Sequence, residues 1–522
     1  MILGIPLLTF LVFTPLAGAL VLVFLPGDRR GLLYSAALTA SGLALAGSLI
    51  LFARFDAGTA APQFVERAAW LGGGIQYHLG VDGISLFLIL LSTFLIPLAL
   101  LSSWTAIGGR LKEYLFFMLL LETGILGVFV SLNLVLFYVF WEAMLIPMYF
   151  LIGVWGGPRR VYATTKFVLF TMLGSLLMLA AILVLGALYA KSAGSVSYNI
   201  LDLYGLGIDP RAQVGLFLAF ALAFAVKVPI FPLHTWLPDA HVEAPTAGSV
   251  ILAAVLLKMG IYGFLRLAIP LFPDALARFG PALAVLAIVG IIYGGLMALA
   301  QKDIKSLVAY SSVSHMGLIM LAVLALNAEA VEGAIFQMIN HGLSTGMLFL
   351  MVGVLYERAH TRKIADFGGV AGRMPVFAAF FLVAVLSSLG FPGLNGFIGE
   401  FLCFYGVWAS HPVWGALAVT TVILAAAYLL WMYGRVMHGP IVHDRVRTLR
   451  DMTLREIAVI VPIVILILGL GIFPRIILSK VEATVESYVR AIHGHERIFA
   501  HTCVVPSAPT VAAAEVFPEK TR

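Results

Sequence analysis

Charge is scarce in this chain. Asp, Glu, Lys and Arg make up 11% of its 522 residues, well under the roughly 25% of a soluble domain. With 61% hydrophobic residues and a mean hydropathy of +1.04, a soluble globular protein is excluded and a polytopic membrane protein is implied. Cysteine is scarcer still. Cys403 lies in an apolar run and Cys503 in the C-terminal tail, so neither a disulfide framework nor a cysteine-ligated metal or iron-sulfur cluster can be built. No Gly-rich phosphate loop of the Rossmann or Walker type occurs, which removes a nucleotide site. The net charge of +6 is spread over loops and forms no nucleic-acid face. The first apolar run, from Gly4, has no basic residues before it and reads as an uncleaved helix rather than a signal peptide.

What is present is a succession of apolar runs. A helix needs about 20 residues to cross the hydrocarbon core, and fourteen runs reach that length: 4–25, 31–53, 83–105, 113–131, 133–154, 164–190, 212–235, 246–269, 279–300, 306–326, 329–357, 375–409, 412–437 and 454–479. With the N-terminus outside, eighteen basic residues fall in inward loops and six in outward loops. Both termini are therefore expected on the outer side.

Span 7 departs from a plain transmembrane helix. Lys227 sits at mid-depth two residues before Pro229, with Pro232 and Pro238 following. A central lysine costs about 2.5 to 3.5 kcal/mol on insertion scales, so it faces a partner or a wet cavity and is a functional candidate. Pro229 lacks a backbone donor and clashes with the preceding turn, which predicts a break just after the charge. Span 12 repeats the design, interrupted by Gly390, Pro392, Gly393 and Gly396. Spans 6 and 11 share a spaced pattern, Phe167, Ser175, Met178 and Leu179 against Phe336, Ser344, Met347 and Leu348. The expectation is an all-α polytopic membrane protein of about fourteen transmembrane helices, with two inverted five-helix repeats (spans 4–8 and 9–13), each containing a broken helix. The units are 1–105 (spans 1–3), 113–269 (spans 4–8), 276–437 (spans 9–13), 454–479 (span 14) and 480–522, read as an interfacial helix over 480–495 and a mobile tail.

Ionisable residues inside the spans are few and share one depth: Glu142, Lys227, Lys258, His315, His341 and, in the second half of span 12, Glu400. Alternating acid, lysine and imidazole at the midplane is what lateral proton transfer through protein-held water requires, because each group must change charge. Asn340, Ser344 and Thr345 add hydrogen-bonding groups beside His341. Plainer roles stand beside this one. Lys227 could be a structural, snorkelling lysine, Lys258 a packing residue on a carbonyl, and each histidine a satisfied core residue. Glu122 fits a bond to a neighbouring helix, Lys302, Asp303 and Lys305 an inner-face loop cluster, and Trp141 and Trp431 packing or interface anchors.

Four stretches then carry a resemblance: FWEAMLIPMYFLIG around Glu142, KVPIFPLHTWLPDAHVEAPTAGSVILAAVLLKMGIYG from Lys227 through Lys258, KDIKSLVAYSSVSHMG around His315, and FPGLNGFIGEF around Glu400. Together they resemble the proton-pumping, antiporter-like membrane subunits of respiratory complex I, over roughly residues 80–440. The same superfamily includes large chains of multisubunit sodium/proton antiporters and of membrane-bound hydrogenases, which remain alternatives. An acid at Glu400, where sister subunits generally place a lysine, and an end soon after span 14 favour one class within the family. The resemblance implies that Glu142 and Lys227 form a control pair, Lys258 and His315 the linking relay, His341 a further step and Glu400 the outer terminal group. His234 would belong to the uptake path. It also implies a translocase subunit without redox chemistry of its own, in a bacterial inner (plasma) membrane. NAD, FMN, iron-sulfur clusters and quinone are expected in other subunits and none in this chain. The expected partners are other membrane subunits of complex I, especially the L and N antiporter-like chains, and lipids, with no nucleic acid.

Overall fold

A computed structural model describes residues 4–441 and 443–494. The tail beyond Gly494, with Cys503 and the expected mobile segment, lies outside the described residues. Among the described residues, thirteen helices are long and apolar enough to cross a membrane, from Leu7–Phe24 to Leu454–Ile472. The remaining expected span, the twelfth, is divided into Pro375–Ser388 and Asn395–Ser410. The chain is a multi-pass membrane protein.

Burial separates the spans into a centre and a periphery. The most apolar windows of Thr246–Leu271 (span 8) and Ala328–Ala359 (span 11) are 100% buried and that of Ile304–Leu324 (span 10) is 94% buried, against 39% for spans 1, 2 and 6. A helix apolar all round and surrounded by protein belongs to the core. These three are also the helices that carry Lys258, His341 and His315. Protein rather than lipid therefore sets the surroundings of those side chains.

An antiparallel hairpin, Gln63–Gly72 with Ile75–Val81, interrupts the otherwise helical chain between spans 2 and 3. It has a capping function. The Glu66 carboxylate accepts from the backbone N–H of Leu8 (2.6 Å) and Thr9 (2.9 Å) and from the Thr9 hydroxyl (2.5 Å), satisfying donors that the first turn of span 1 cannot bond internally. The same face holds the C-terminal helix, Arg475–Gly494. From residue 480 this segment is expected at the membrane interface. In the structure it starts at Arg475 and buries Ile477, Val481, Val485 and Tyr488 against spans 3 and 11. Its apolar face docks on the chain itself. Gly83 permits the close approach, since a Cβ there would lie 2.6 Å from the Lys480 carbonyl, and its N–H donates to the Thr484 hydroxyl at 3.1 Å.

Candidate functional site

Span 7 starts as the helix Pro210–Lys227 and ends there. The residues beyond run through a turn to a short helix, Trp236–Glu243, as the prolines predicted. The Trp236 indole donates to the Val226 carbonyl at 2.9 Å, repairing part of the break. Lys227 thus occupies the C-terminal end of a half-helix, where the helix dipole favours a cation. Its side chain is buried, with the amine 5.5 Å from the Trp141 ring centroid and 5.3 Å from that of Phe167. Trp141 is therefore a wall of the lysine pocket rather than an interface anchor. The Lys227 amine has no hydrogen-bond partner among the described residues. Glu142, half-buried on span 5, does not pair with it directly. Span 5 itself is divided beside Glu142 into Leu134–Ala143 and Leu145–Trp155, because Pro147 has no N–H to return to the Ala143 carbonyl.

The second group is contiguous. Lys258 lies between two π-helical stretches of span 8, Leu252–Leu256 and Phe264–Ala268. The wider turn frees the Ala253 carbonyl, to which the Lys258 amine donates at 2.6 Å. The same amine lies 2.6 Å from His341 Nδ1. The rings of His341 and His315 follow at a centroid distance of 5.7 Å. His315 Nδ1 is 3.3 Å from Glu400 Oε1, both side chains being almost fully buried. The spatial order is Lys258, His341, His315, Glu400. That corrects the order implied by resemblance, in which His315 followed Lys258. Gly342 is the reason: a Cβ there would stand 3.0 Å from the Ala254 carbonyl, so span 11 approaches span 8 closely enough for His341 to meet the lysine.

Glu400 is held by the second break. Gln337 Nε2 donates to its Oε1 at 3.3 Å, while Asn340 Nδ2 donates to the Asn395 carbonyl (2.8 Å) and to Gln337 Oε1 (3.2 Å). Ser387 closes the loop by donating to Asn395 Oδ1 at 2.7 Å. Gly390, at φ +73°, leaves room for the carboxylate, whose Oε2 would touch a Cβ placed there. Both half-helices that carry the charges, Pro210–Lys227 and Asn395–Ser410, rise to the hairpin face. Tyr428 completes the surroundings of His315, its hydroxyl 3.4 Å from Nε2.

Several residues escaped the sequence reading. His241 is fully buried, stacked at 4.7 Å on Phe349, with both ring nitrogens unpartnered among the described residues. Lys305 was expected in a loop cluster, yet it lies buried in the first turn of span 10 and donates to the Ala244 carbonyl at 2.6 Å. Asp303, by contrast, caps that helix and pairs with Arg362 at 3.2 Å. His234 is buried among Phe231, Tyr293 and Tyr310 and touches none of the Lys258 group. Glu122 is fully buried with no partner for either oxygen among the described residues, so the expected bond to a neighbouring helix is not made. The one sequence signal for His241 is its place three residues after Pro238, in the broken part of span 7. For Lys305 only packing gives it away.

Comparison with known proteins follows the same outline. Residues 131–425 match the family described as NADH:quinone oxidoreductase/Mrp antiporter, transmembrane, and residues 68–127 match the amino terminus of NADH-ubiquinone oxidoreductase chain 4. NADH-quinone oxidoreductase subunit M of Rhodobacter capsulatus is 47% identical over 93% of this chain and 97% of its own length. NADH-ubiquinone oxidoreductase chain 4 of Arabidopsis thaliana is 42% identical over the same shares. A chain of respiratory complex I from Thermus thermophilus superposes with a TM-score of 0.84 at 34% identity, covering 93% of this chain and 99% of that one. A chain of the Mrp complex from Dietzia shares the fold, at a TM-score of 0.82 and 20% identity. Full-length identity of this order favours complex I over the antiporter and hydrogenase alternatives, and the chain belongs to the subunit M (chain 4) family of NADH-quinone oxidoreductase.

Proposed function

We propose that this chain moves protons across the membrane as a membrane-arm subunit of NADH-quinone oxidoreductase, through Glu142, Lys227, Lys258, His341, His315 and Glu400 in that order. One observation carries the reading: four titratable side chains from spans 8, 11, 10 and 12 lie in sequence, each within contact or one water of the next. Five buried ionisable groups and a half-buried carboxylate are too costly for a scaffold that uses none of them. The gate is Glu142 and Lys227. Approach of the carboxylate stabilises the ammonium, and its withdrawal leaves burial to expel the proton. From Lys258 the proton passes to His341 and His315, and it neutralises Glu400 before release on the hairpin side.

Moving one charge against 100 mV takes about 2.3 kcal/mol. The redox chemistry lies in other subunits, so the work is delivered by neighbouring membrane subunits, the L and N chains. NAD, FMN, iron-sulfur clusters and quinone belong to other subunits. Spans 4–8 and 9–13 act as two inverted units, each with one broken helix. The hairpin face is the outer side of a bacterial inner membrane, as the distribution of basic loops supports.

The test is Lys227→Ala and, separately, Glu142→Ala in the assembled complex reconstituted into vesicles. Each should assemble and lose NADH-driven proton pumping by at least about tenfold. Full pumping with normal assembly in both variants would remove the relay.

A further inference from the structure

One apolar cavity has no part in this relay. It measures about 460 Å³ and lies between spans 2, 3, 11 and 14 and the first turn of the C-terminal helix. Phe52, Leu90, Phe94, Leu343, Leu466 and Ile477 are among its lining residues, and no polar side chain is. Leu49, 53% exposed, and Ile476, 46% exposed, stand at its mouth, so it opens sideways. The lining comes from the hairpin-side halves of spans 2, 3 and 14 and reaches mid-depth at Ile339 and Leu343, which makes the groove one leaflet deep.

We propose that this groove holds one acyl chain of a phospholipid, with the anionic headgroup at Arg475 and Lys480. A single hydrocarbon chain fits. The rim supplies the opposite charge to a phosphate: Lys480 follows the lining residues Ile476 and Ile477 by one turn, its amine 4.9 Å from the Phe52 ring and 3.1 Å from the Phe55 carbonyl. Arg475, the first residue of the same helix, is exposed. The occupant has a consequence for the relay. Ile339 and Leu343 line the groove on one face of span 11, while His341, two residues from each, lies on the opposite face. A hydrocarbon chain there keeps water of the hairpin side away from the helix that carries the histidine.

The experiment uses the assembled complex in phosphatidylcholine vesicles with a trace of phosphatidylglycerol bearing a photoreactive diazirine near one acyl end. Labelled positions are mapped by mass spectrometry. Leu90, Phe94 and Leu343 should be labelled several-fold more than Leu169 and Leu173, which are exposed on span 6. Leu466→Trp should reduce groove labelling several-fold and leave span 6 unchanged. Lys480→Glu should reduce it for the phosphatidylglycerol probe more than for a phosphatidylcholine probe. Groove labelling no greater than that of span 6 would overturn the proposal. So would a cross-link from Leu90→Cys to another subunit or to residues 495–522 of this chain, either of which would be the true occupant.

Discussion

His341 is the narrowest point of the buried group. Its Nδ1 meets Lys258 at 2.6 Å and its ring faces His315 at 5.7 Å, so the proposed route from the lysine to Glu400 passes this side chain or the space it fills. Two substitutions separate those possibilities. His341→Ala leaves a polar cavity lined by the lysine amine and an imidazole, which can hold water, and pumping should stay within about threefold of normal. His341→Phe fills the same space with hydrocarbon and should lower pumping by about tenfold or more, with assembly unchanged. Vesicle acidification driven by NADH reads both, and equal activity in the two variants would show that protons take another path. The shared depth of these residues could be read from where each falls within its apolar run. Their order could not, because it depends on Gly342 letting two backbones approach, and a glycine in a span announces no particular neighbour.

Between residues and molecule, the elements on the hairpin face are tied by two buried polar contacts with different responses. Arg266 at the end of span 8 and Asp82, the cap of span 3, form an ion pair of 2.6 Å that is 3% and 1% exposed. Removing one partner leaves the other charged and alone, which costs about 3–5 kcal/mol, whereas replacing both is often nearly neutral. Arg266→Met should therefore lower the thermal unfolding temperature of the assembled complex, and adding Asp82→Asn, which keeps the cap, should restore most of it. The hairpin contact responds to acid instead. Burial holds the His78 imidazole below its ordinary value of 6.5 while its Nδ1 lies 3.2 Å from Asn199 Oδ1. The opened hairpin binds a proton more readily than the closed one, so this contribution is complete above about pH 6.5 and is lost as the pH falls through the folded value. Hydrogen-exchange protection of residues 75–81, corrected for intrinsic rate, should drop between about pH 7.5 and pH 5.5, and constant protection would count against it. Neither contact was legible in the sequence. The fourteen runs were, because length and apolarity suffice to detect a span. A hairpin of short strands lies below that threshold, and Glu66 gave no hint that it caps span 1. The breaks in spans 7 and 12 were announced by proline and glycine, whereas the interruption of span 5 at Pro147 passed as a continuous helix.

At the scale of the whole molecule, the polar row reaches the surface at its Glu142 end and comes close to it at the other. Glu142 is only half-buried, and Val139, Ile146 and Tyr149 around it are 42%, 55% and 46% exposed. At the far end Phe401, Tyr405 and Trp408 are exposed on the half-helix that carries Glu400. A carboxylate on a face open to lipid is expensive, and a single chain cannot cover its own flank. The flank with Glu142 should therefore lie against another membrane subunit, which is also how work done elsewhere would reach the gate. Val139→Cys and Ile146→Cys, treated with a short bifunctional thiol reagent in the assembled complex, should each give a covalent pair with a second membrane subunit. Leu169→Cys on span 6 serves as the comparison, since its position carries no such requirement. If Val139 and Ile146 react only with lipid-soluble monofunctional reagents, and at the rate of an open bilayer face, Glu142 has no neighbour to move it. The gate would then have to be worked from within the chain.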